Sequence, residues 1–325
     1  MNQSKSFGNH SINPHKFLGC FSIPENDVLK INKLRGGIEN NVYRINTLSG
    51  EFVLRIYRNR NLQEVQYECN ILSYLDGGDY IRTPKVILTR KDLPVAIQDS
   101  VCATLYTFID GEIAQFGTTE LLDDTCRFVE WFQYVTNKRK WNCHIKSFRV
   151  NRILSMCHLI THSDDIQIPP ELRSQILSEI KLFPRYQELF RQFPDCLVHG
   201  DLMPSNLILD SNGRLSAVID FDDSYVESAL FEYTSIARGM CFTSDLKLNW
   251  HLLNRLYNHT KRVLGAISQD AFFLALRYVC FRYFVYIYYS VHIWGLSEDK
   301  PLWLKDFRKW RILTEKNLSE QLTNI

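Results

Sequence analysis

The residues with the clearest capacity for chemistry lie in one run, Asp195 to Asp223, which reads DCLVHGDLMPSNLILDSNGRLSAVIDFDD. Within it Asp201, Asn206 five residues later, and Asp220 make up a set of hard oxygen ligands with one carboxylate to spare. Such a set suits Mg²⁺, which takes few protein ligands and completes its octahedron with phosphates and water. It also suits phosphoryl transfer, where the protein holds metal on the β- and γ-oxygens, positions a hydroxyl nucleophile and accepts its proton. On that reading Asn206 and Asp220 take the metal. Asp201 takes the hydroxyl, because a carboxylate kept off the metal can hydrogen-bond an incoming alcohol. Singly, a loop Asp or Asn commonly does no more than cap a turn. What sets these three apart is their joint spacing behind His199 and Gly200.

The elements that must position them can be read from local pattern. Leu207 to Leu209 and Leu215 to Ile219 are apolar β-type runs, and Asn212-Gly213 between them is a strong hairpin signal. With those two at the centre of the turn, Asp220 falls opposite Ser205 and beside Asn206. Upstream, from Val28 to Phe108, the pattern is mostly strand: Leu29 to Leu34, Val42 to Thr47 and Phe52 to Tyr57, the last two joined by Leu48-Ser49-Gly50. Asn61 to Leu75 carries Val65, Ile71, Leu72 and Leu75 at helical spacing and stops at Gly77-Gly78. Lys85 to Thr89 and Val101 to Ile109 complete the strands. After Gly111 the texture turns to long helical segments with Trp and Phe anchors, such as Thr119 to Thr136 and Glu171 to Phe183. The pattern predicts an α+β chain with a loose arm over 1–22 and a small sheet-rich lobe with one helix over 23–108. A larger, mainly helical lobe follows over 109–325, joined near Thr107 to Gly111.

Composition narrows the partners. The 325 residues are 45% apolar, which excludes disorder, and 38 Lys and Arg against 36 Asp and Glu leave a net charge of +2. No global field recruits nucleic acid or anionic lipid, so any charged partner is met locally. Nine cysteines, odd in number and never in C-x-x-C, read as free thiols in a reducing compartment. Met1 to His10 lacks the apolar core of a secretory signal, and a cytoplasmic location is expected. Ala271 to Leu296 is rich in Phe, Tyr, Leu and Val, yet Arg277 and Arg282 interrupt it and His292 follows. The remaining piece falls short of the roughly 20 apolar residues of a membrane span. A buried aromatic helix is expected there.

The run His199-Gly200-Asp201-Leu202-Met203-Pro204-Ser205-Asn206, followed by Val218-Ile219-Asp220-Phe221, resembles the catalytic and metal-binding motifs of the aminoglycoside phosphotransferase and choline kinase superfamily. The likeness extends to Leu34-Arg35-Gly36-Gly37-Ile38-Glu39-Asn40-Asn41-Val42-Tyr43, similar to the nucleotide loop of type II homoserine kinases, and to LYTFIDGE from Leu105 to Glu112, similar to the hinge between lobes. It implies a bilobal protein-kinase-like fold, ATP and Mg²⁺ as cofactors, and a small-molecule hydroxyl as acceptor. The implied roles are Asp201 as catalytic residue, Asn206 and Asp220 as metal ligands, and Gly36, Gly37, Arg55, Glu68, Tyr106 and Phe108 at the nucleotide. Arg55 stands where the family places the strand cation that meets the α- and β-phosphates, and Glu68 stands where its helix partner lies. An Arg is chemically adequate there, being always charged and forked. The nucleotide-loop likeness favours an amino alcohol or amino acid such as homoserine. An aminoglycoside, choline or ethanolamine stays open, as does a non-catalytic nucleotide-binding module. Glu232 stands where the family carries Asp, which puts its local hydrogen-bond network in question. No Walker motif is present, and no A-P-E follows as in protein kinases.

Other residues read two ways. His158 and His162 have a zinc-capable spacing without a third ligand. The six Trp either line a cation–π pocket or pack the core. Asp222, Asp223 and Glu227 form either an acidic cluster for a cationic substrate or a solvated loop, and Arg277 and Arg282 either grip a substrate carboxylate or snorkel.

Overall fold

The computed structural model describes residues 13–34, 40–58, 60–78, 80–141, 150–163, 168–293 and 303–314. The chain falls into two units: Met1–Gly111 with Ser216–Asp222, and Glu112–Leu215 with Asp223–Ile325.

The first unit holds α1 (His15–Leu18), β1 (Val28–Lys33), β2 (Asn40–Thr47), β3 (Gly50–Tyr57), α2 (Leu62–Leu75), β4 (Val86–Ile87), β5 (Ala96–Gln98) and β6 (Val101–Thr107). Its antiparallel sheet runs β1-β2-β3-β6-β4, with β5 also on β6. Side chains alternate between the faces of a strand, and here the two faces have different jobs. On one, Leu54 and Ile56 of β3 and Ala103 and Leu105 of β6 join Phe17, Leu18 and Phe21 in an apolar core. The arm expected over 1–22 is therefore corrected from Asn13 onward. Its polar composition hid Phe17, Leu18 and Phe21, which are buried against the sheet.

The other face carries Arg55 and Tyr57 of β3 and Thr104 and Tyr106 of β6, with Arg55 directly across from Thr104. Val65 and Cys69 of α2 pack beside Tyr57. The ends of α2 lie where the sequence predicts. Asn61 and Glu64 form a reciprocal capping box, and Gly77, at φ +94°, lies just past the last turn. Residues Ser216–Asp222 attach through Arg82, whose carbonyl accepts the Val218 N–H at 3.1 Å and whose N–H donates to Ser216 at 3.3 Å.

The second unit contains β7 (Glu112–Ile113), α3 (Thr119–Thr136), α4 (Val150–His162), α5 (Pro170–Ile180), α6 (Phe183–Arg191), β8 (Asp195–Val198), β9 (Leu207–Leu209), β11 (Tyr225–Ser228), α7 (Ala229–Met240), α8 (Trp250–Leu264), α9 (Gln269–His292) and α10 (Trp303–Ile312). The short β10 (Leu215–Val218) leads from this unit into the first. β8 pairs with β11 and β7 with β9, both antiparallel. α9 is long and apolar enough to cross a membrane, but 72% of its apolar window is buried inside the protein, as expected of an aromatic core helix. Phe272, Phe281 and Phe284 are fully buried on it.

The turn after β9 departs from the expected register. Asp210 donates its N–H to the Arg214 carbonyl at 2.9 Å, so three residues and not two lie between the paired positions. The Asp210 carboxylate causes this by accepting the N–H groups of Asn212 and Arg214. β10 ends at Val218, and Asp220 lies beyond the strand at φ +70°, a left-handed conformation that Asp tolerates better than most residues.

Candidate active site

Two constellations carry the expected site residues, one in each unit. In the first unit Arg55 is the centre. Its Nη1 lies 3.2 Å from Glu68 and 3.5 Å from Asp222, and its Nη2 lies 2.7 Å from Asp220. Burial opposes its charge, but Asp220, Glu68 and Asp222 together hold the guanidinium protonated. Glu68 also accepts hydrogen bonds from the Tyr57 and Tyr106 hydroxyls, at 2.7 and 3.0 Å. Burial lifts its pKa, and the Arg55 charge pulls the other way. The Arg55–Glu68 pair is thus buried, unlike the exposed surface pairs that contribute little.

Several expectations change here. The Tyr106 side chain serves Glu68 and Tyr57 inside this network and is not presented outward to a ligand. Phe108 supports the ring of a cation–π contact, with the Arg44 guanidinium 3.9 Å from its centroid. Asp222 is not an acidic patch for a cationic substrate. It meets Arg55 and Arg60 and accepts from Asn40 at 3.0 Å. Burial would raise its pKa, yet Arg60 and Arg55 hold it below the ordinary carboxylate range. Gly36 and Gly37 lie outside the described residues.

In the second unit the loop after β8 holds Asp201 and Asn206. Gly200 sits at φ +85°, and a Cβ there would come within 2.5 Å of the Asp223 carbonyl, so only glycine allows the turn. The Asn206 amide donates both to the Asp201 carbonyl at 2.9 Å and to its Oδ2 at 3.0 Å. Asp201 Oδ1 accepts from Arg238 Nη2 at 2.6 Å. Glu232, on the first turn of α7, accepts the N–H groups of His199 and Gly200 at 3.1 and 3.2 Å. The network in question is therefore made, with Glu supplying the acceptor. Burial pushes the Glu232 pKa up to about 7 against the pull of those two amides. Ser235 and Tyr283 both donate to the Gly200 carbonyl, and Ser224 donates to that of His199. The loop backbone is clamped from α7, α9 and the segment before β11.

Arg238 gave no signal in the sequence. It lies on a helix buried all round, 37 residues from Asp201, where only the folded chain brings the two together. The substrate-grip reading of Arg277 and Arg282 does not hold. Arg277 is committed to Glu179 by a bidentate contact, and Arg282 is buried against the Phe231 and Tyr283 rings. His162 Nδ1 lies within hydrogen-bonding distance of Thr161 and of the His158 carbonyl. Trp250 packs on Phe273, Trp310 on Phe281 and Phe284, and Trp131 on Phe128, which is the core use; Trp294 lies outside the described residues.

The donor set can be tested against Mg²⁺. Among the described residues no group of three or more His, Cys, Asp or Glu forms a cage. Mg²⁺ needs no such cage, since phosphate and water complete its octahedron around one or two side chains. The Asn206 amide nitrogen is occupied by Asp201, which turns its oxygen, the ligating end, away from that carboxylate. The Asp220 Oδ1 faces Arg55, and its side chain retains 36% exposure. Taken singly, each of the two side chains is a hard-oxygen donor of the kind Mg²⁺ takes.

Comparison with known proteins gives concordant results. The model of the phosphotransferase enzyme family matches residues 30–254. Over 101 residues the chain is 29% identical to a homoserine kinase of Caulobacter vibrioides, which covers 29% of this chain and 31% of that protein. The GDP complex of aminoglycoside 2'-phosphotransferase-IIIa superposes with a TM-score of 0.61 at 15% identity, over 93% of this chain and 98% of that one. The choline kinase LicA of Streptococcus pneumoniae superposes with a TM-score of 0.62 at 15% identity, over 92% and 95%. The fold is protein-kinase-like.

Proposed function

The chain belongs to the phosphotransferase enzyme family, and from that premise we propose that it transfers the γ-phosphoryl group of ATP to the hydroxyl of a small molecule, an amino alcohol or amino acid such as homoserine being favoured. The observation that carries this reading is the state of Asp201. One oxygen accepts from Arg238 and the other from Asn206, so two donors orient the carboxylate. As the acceptor oxygen bonds to phosphorus and the bond to the ADP oxygen breaks, the hydroxyl proton passes to Asp201. Arg55, kept charged by its acidic neighbours, would meet the phosphates. Asn206 and Asp220 would hold Mg²⁺, which when bound offsets phosphate charge. Support for a nucleotide comes from the GDP bound in the aminoglycoside phosphotransferase, and support for homoserine from the partial match to a homoserine kinase.

The test is Mg²⁺-dependent ADP release over a panel containing homoserine, ethanolamine, choline and an aminoglycoside. One acceptor should stimulate release, and Asp201→Asn should lower kcat by about 10²- to 10⁴-fold. Nucleotide binding without turnover on any acceptor would overturn the reading in favour of a binding module.

A further inference from the structure

We propose that the last helix, α10, is part of the positioning apparatus of the reaction: Asp306 takes half of the Arg238 fork, so that Arg238 meets Asp201 through a single nitrogen and leaves that carboxylate able to receive an alcohol. The inference rests on reading Asp201 as the proton acceptor.

The geometry is a chain of buried contacts. Arg238 Nη2 donates to Asp201 Oδ1 at 2.6 Å, and Nη1 donates to Asp306 Oδ1 at 3.1 Å. The guanidinium lies flat on Tyr283, 3.4 Å from the ring centroid, and Tyr283 itself donates to the Gly200 carbonyl. Lys309, one helical turn after Asp306, donates its ammonium to the Arg238 carbonyl at 2.6 Å. Asp306, Lys309 and Arg238 are 5%, 2% and 3% exposed.

α10 does not need these charges in order to dock. Trp303, Phe307 and Trp310, spaced along one stripe, pack on Phe284, and Trp310 also meets Phe281. Burying an aspartate and a lysine beside that stripe carries a desolvation cost unless each is paired, and apolar residues would seal the interface without that cost. Both charges go to one residue, Arg238. A guanidinium facing a single carboxylate settles into a two-bond fork that occupies both oxygens. With Asp306 on the other arm, Arg238 makes one bond to Asp201, and Asn206 fills the second oxygen through a single N–H.

The experiment compares parent, Asp306→Asn, Arg238→Lys and the double variant, with Asp201→Asn as control, under acceptor-stimulated turnover and, with water as acceptor, slow ATP hydrolysis. Asp306→Asn should lower kcat roughly 10- to 100-fold with the nucleotide KM within about twofold. Lysine cannot fork, so in the Arg238→Lys background the same change should alter kcat less than about twofold. Thermal melts show which variants fold. Should Asp306→Asn fail to fold, the paired change Asp306→Leu with Lys309→Met, which removes the same carboxylate and leaves no unmatched buried charge on α10, is read in the same way. A folded Asp306→Asn protein with parental kcat, or effects that add in the double variant, would overturn the role of α10 while an inactive Asp201→Asn upholds the site. An active Asp201→Asn, or a parent without either activity, overturns the site reading and the role of α10 with it.

Discussion

Glu232 is a residue through which solution pH reaches the loop after β8. Its folded pKa, about 7, stands above the ordinary 4.5 because the carboxylate is buried, even though two amides favour its charged form. The folded chain therefore holds a proton that the unfolded chain has released. The stability this group contributes is fully present below about pH 4.5 and is lost as the pH climbs through 7. Glu232→Gln removes the titration. Between pH 5 and 8 the variant should gain on the parent by up to about 3 kcal/mol, measured by urea unfolding at each pH; parallel pH profiles would contradict this. Sequence spacing exposed Asp201 and Asn206 because both lie in one short loop, where chain distance is nearly spatial distance. It could not expose Arg238, whose link to Asp201 depends on how α7 is turned. The place of the Tyr106 hydroxyl is not legible for a related reason, since a hinge motif gives no information on which sheet face its ring takes.

At the scale of elements, legibility followed local chemistry. α2 and α3 were bounded by their own caps, Asn61 with Glu64 and Thr118, and these signals act over a few residues. Asn61→Ala should cost about 1 kcal/mol in a thermal melt while leaving the buried Arg55–Glu68 pair intact, because the box serves only the helix start. An unchanged melting midpoint would show that α2 is held by packing alone. The turn at Asn212-Gly213 was read as a turn but in the wrong register, because Asp210 recruits two backbone amides and widens it by one residue. α10 carried no comparable marker. Its charges look like those of a solvated surface helix, and only the position of Arg238 shows why they are buried.

At the scale of the molecule, α9 has the apolar content of a membrane span and the burial of a core helix. Thiol labelling distinguishes the two settings. Of the eight cysteines among the described residues, Cys20 is partly exposed and seven are buried, Cys280 of α9 among them. Burial pushes the Cys280 thiol up to about 12, which suppresses the reactive thiolate as well as access. In a Cys143→Ser background the native protein should label rapidly at Cys20 alone and at the other seven only on unfolding; prompt labelling of Cys280 would place α9 elsewhere. The interruption of the second unit by Ser216–Asp222 has a consequence for how the chain is made. When the ribosome has delivered the first 111 residues, Arg55 has Glu68 opposite it, but Asp220 and Asp222 do not yet exist. The first unit to be translated is thus not finished until Asp222 has been made, when about half of the second unit already exists. Its charge balance waits on a stretch synthesised some hundred residues later, and a gene cut at the end of the sheet would encode a cation without two of its three counter-ions.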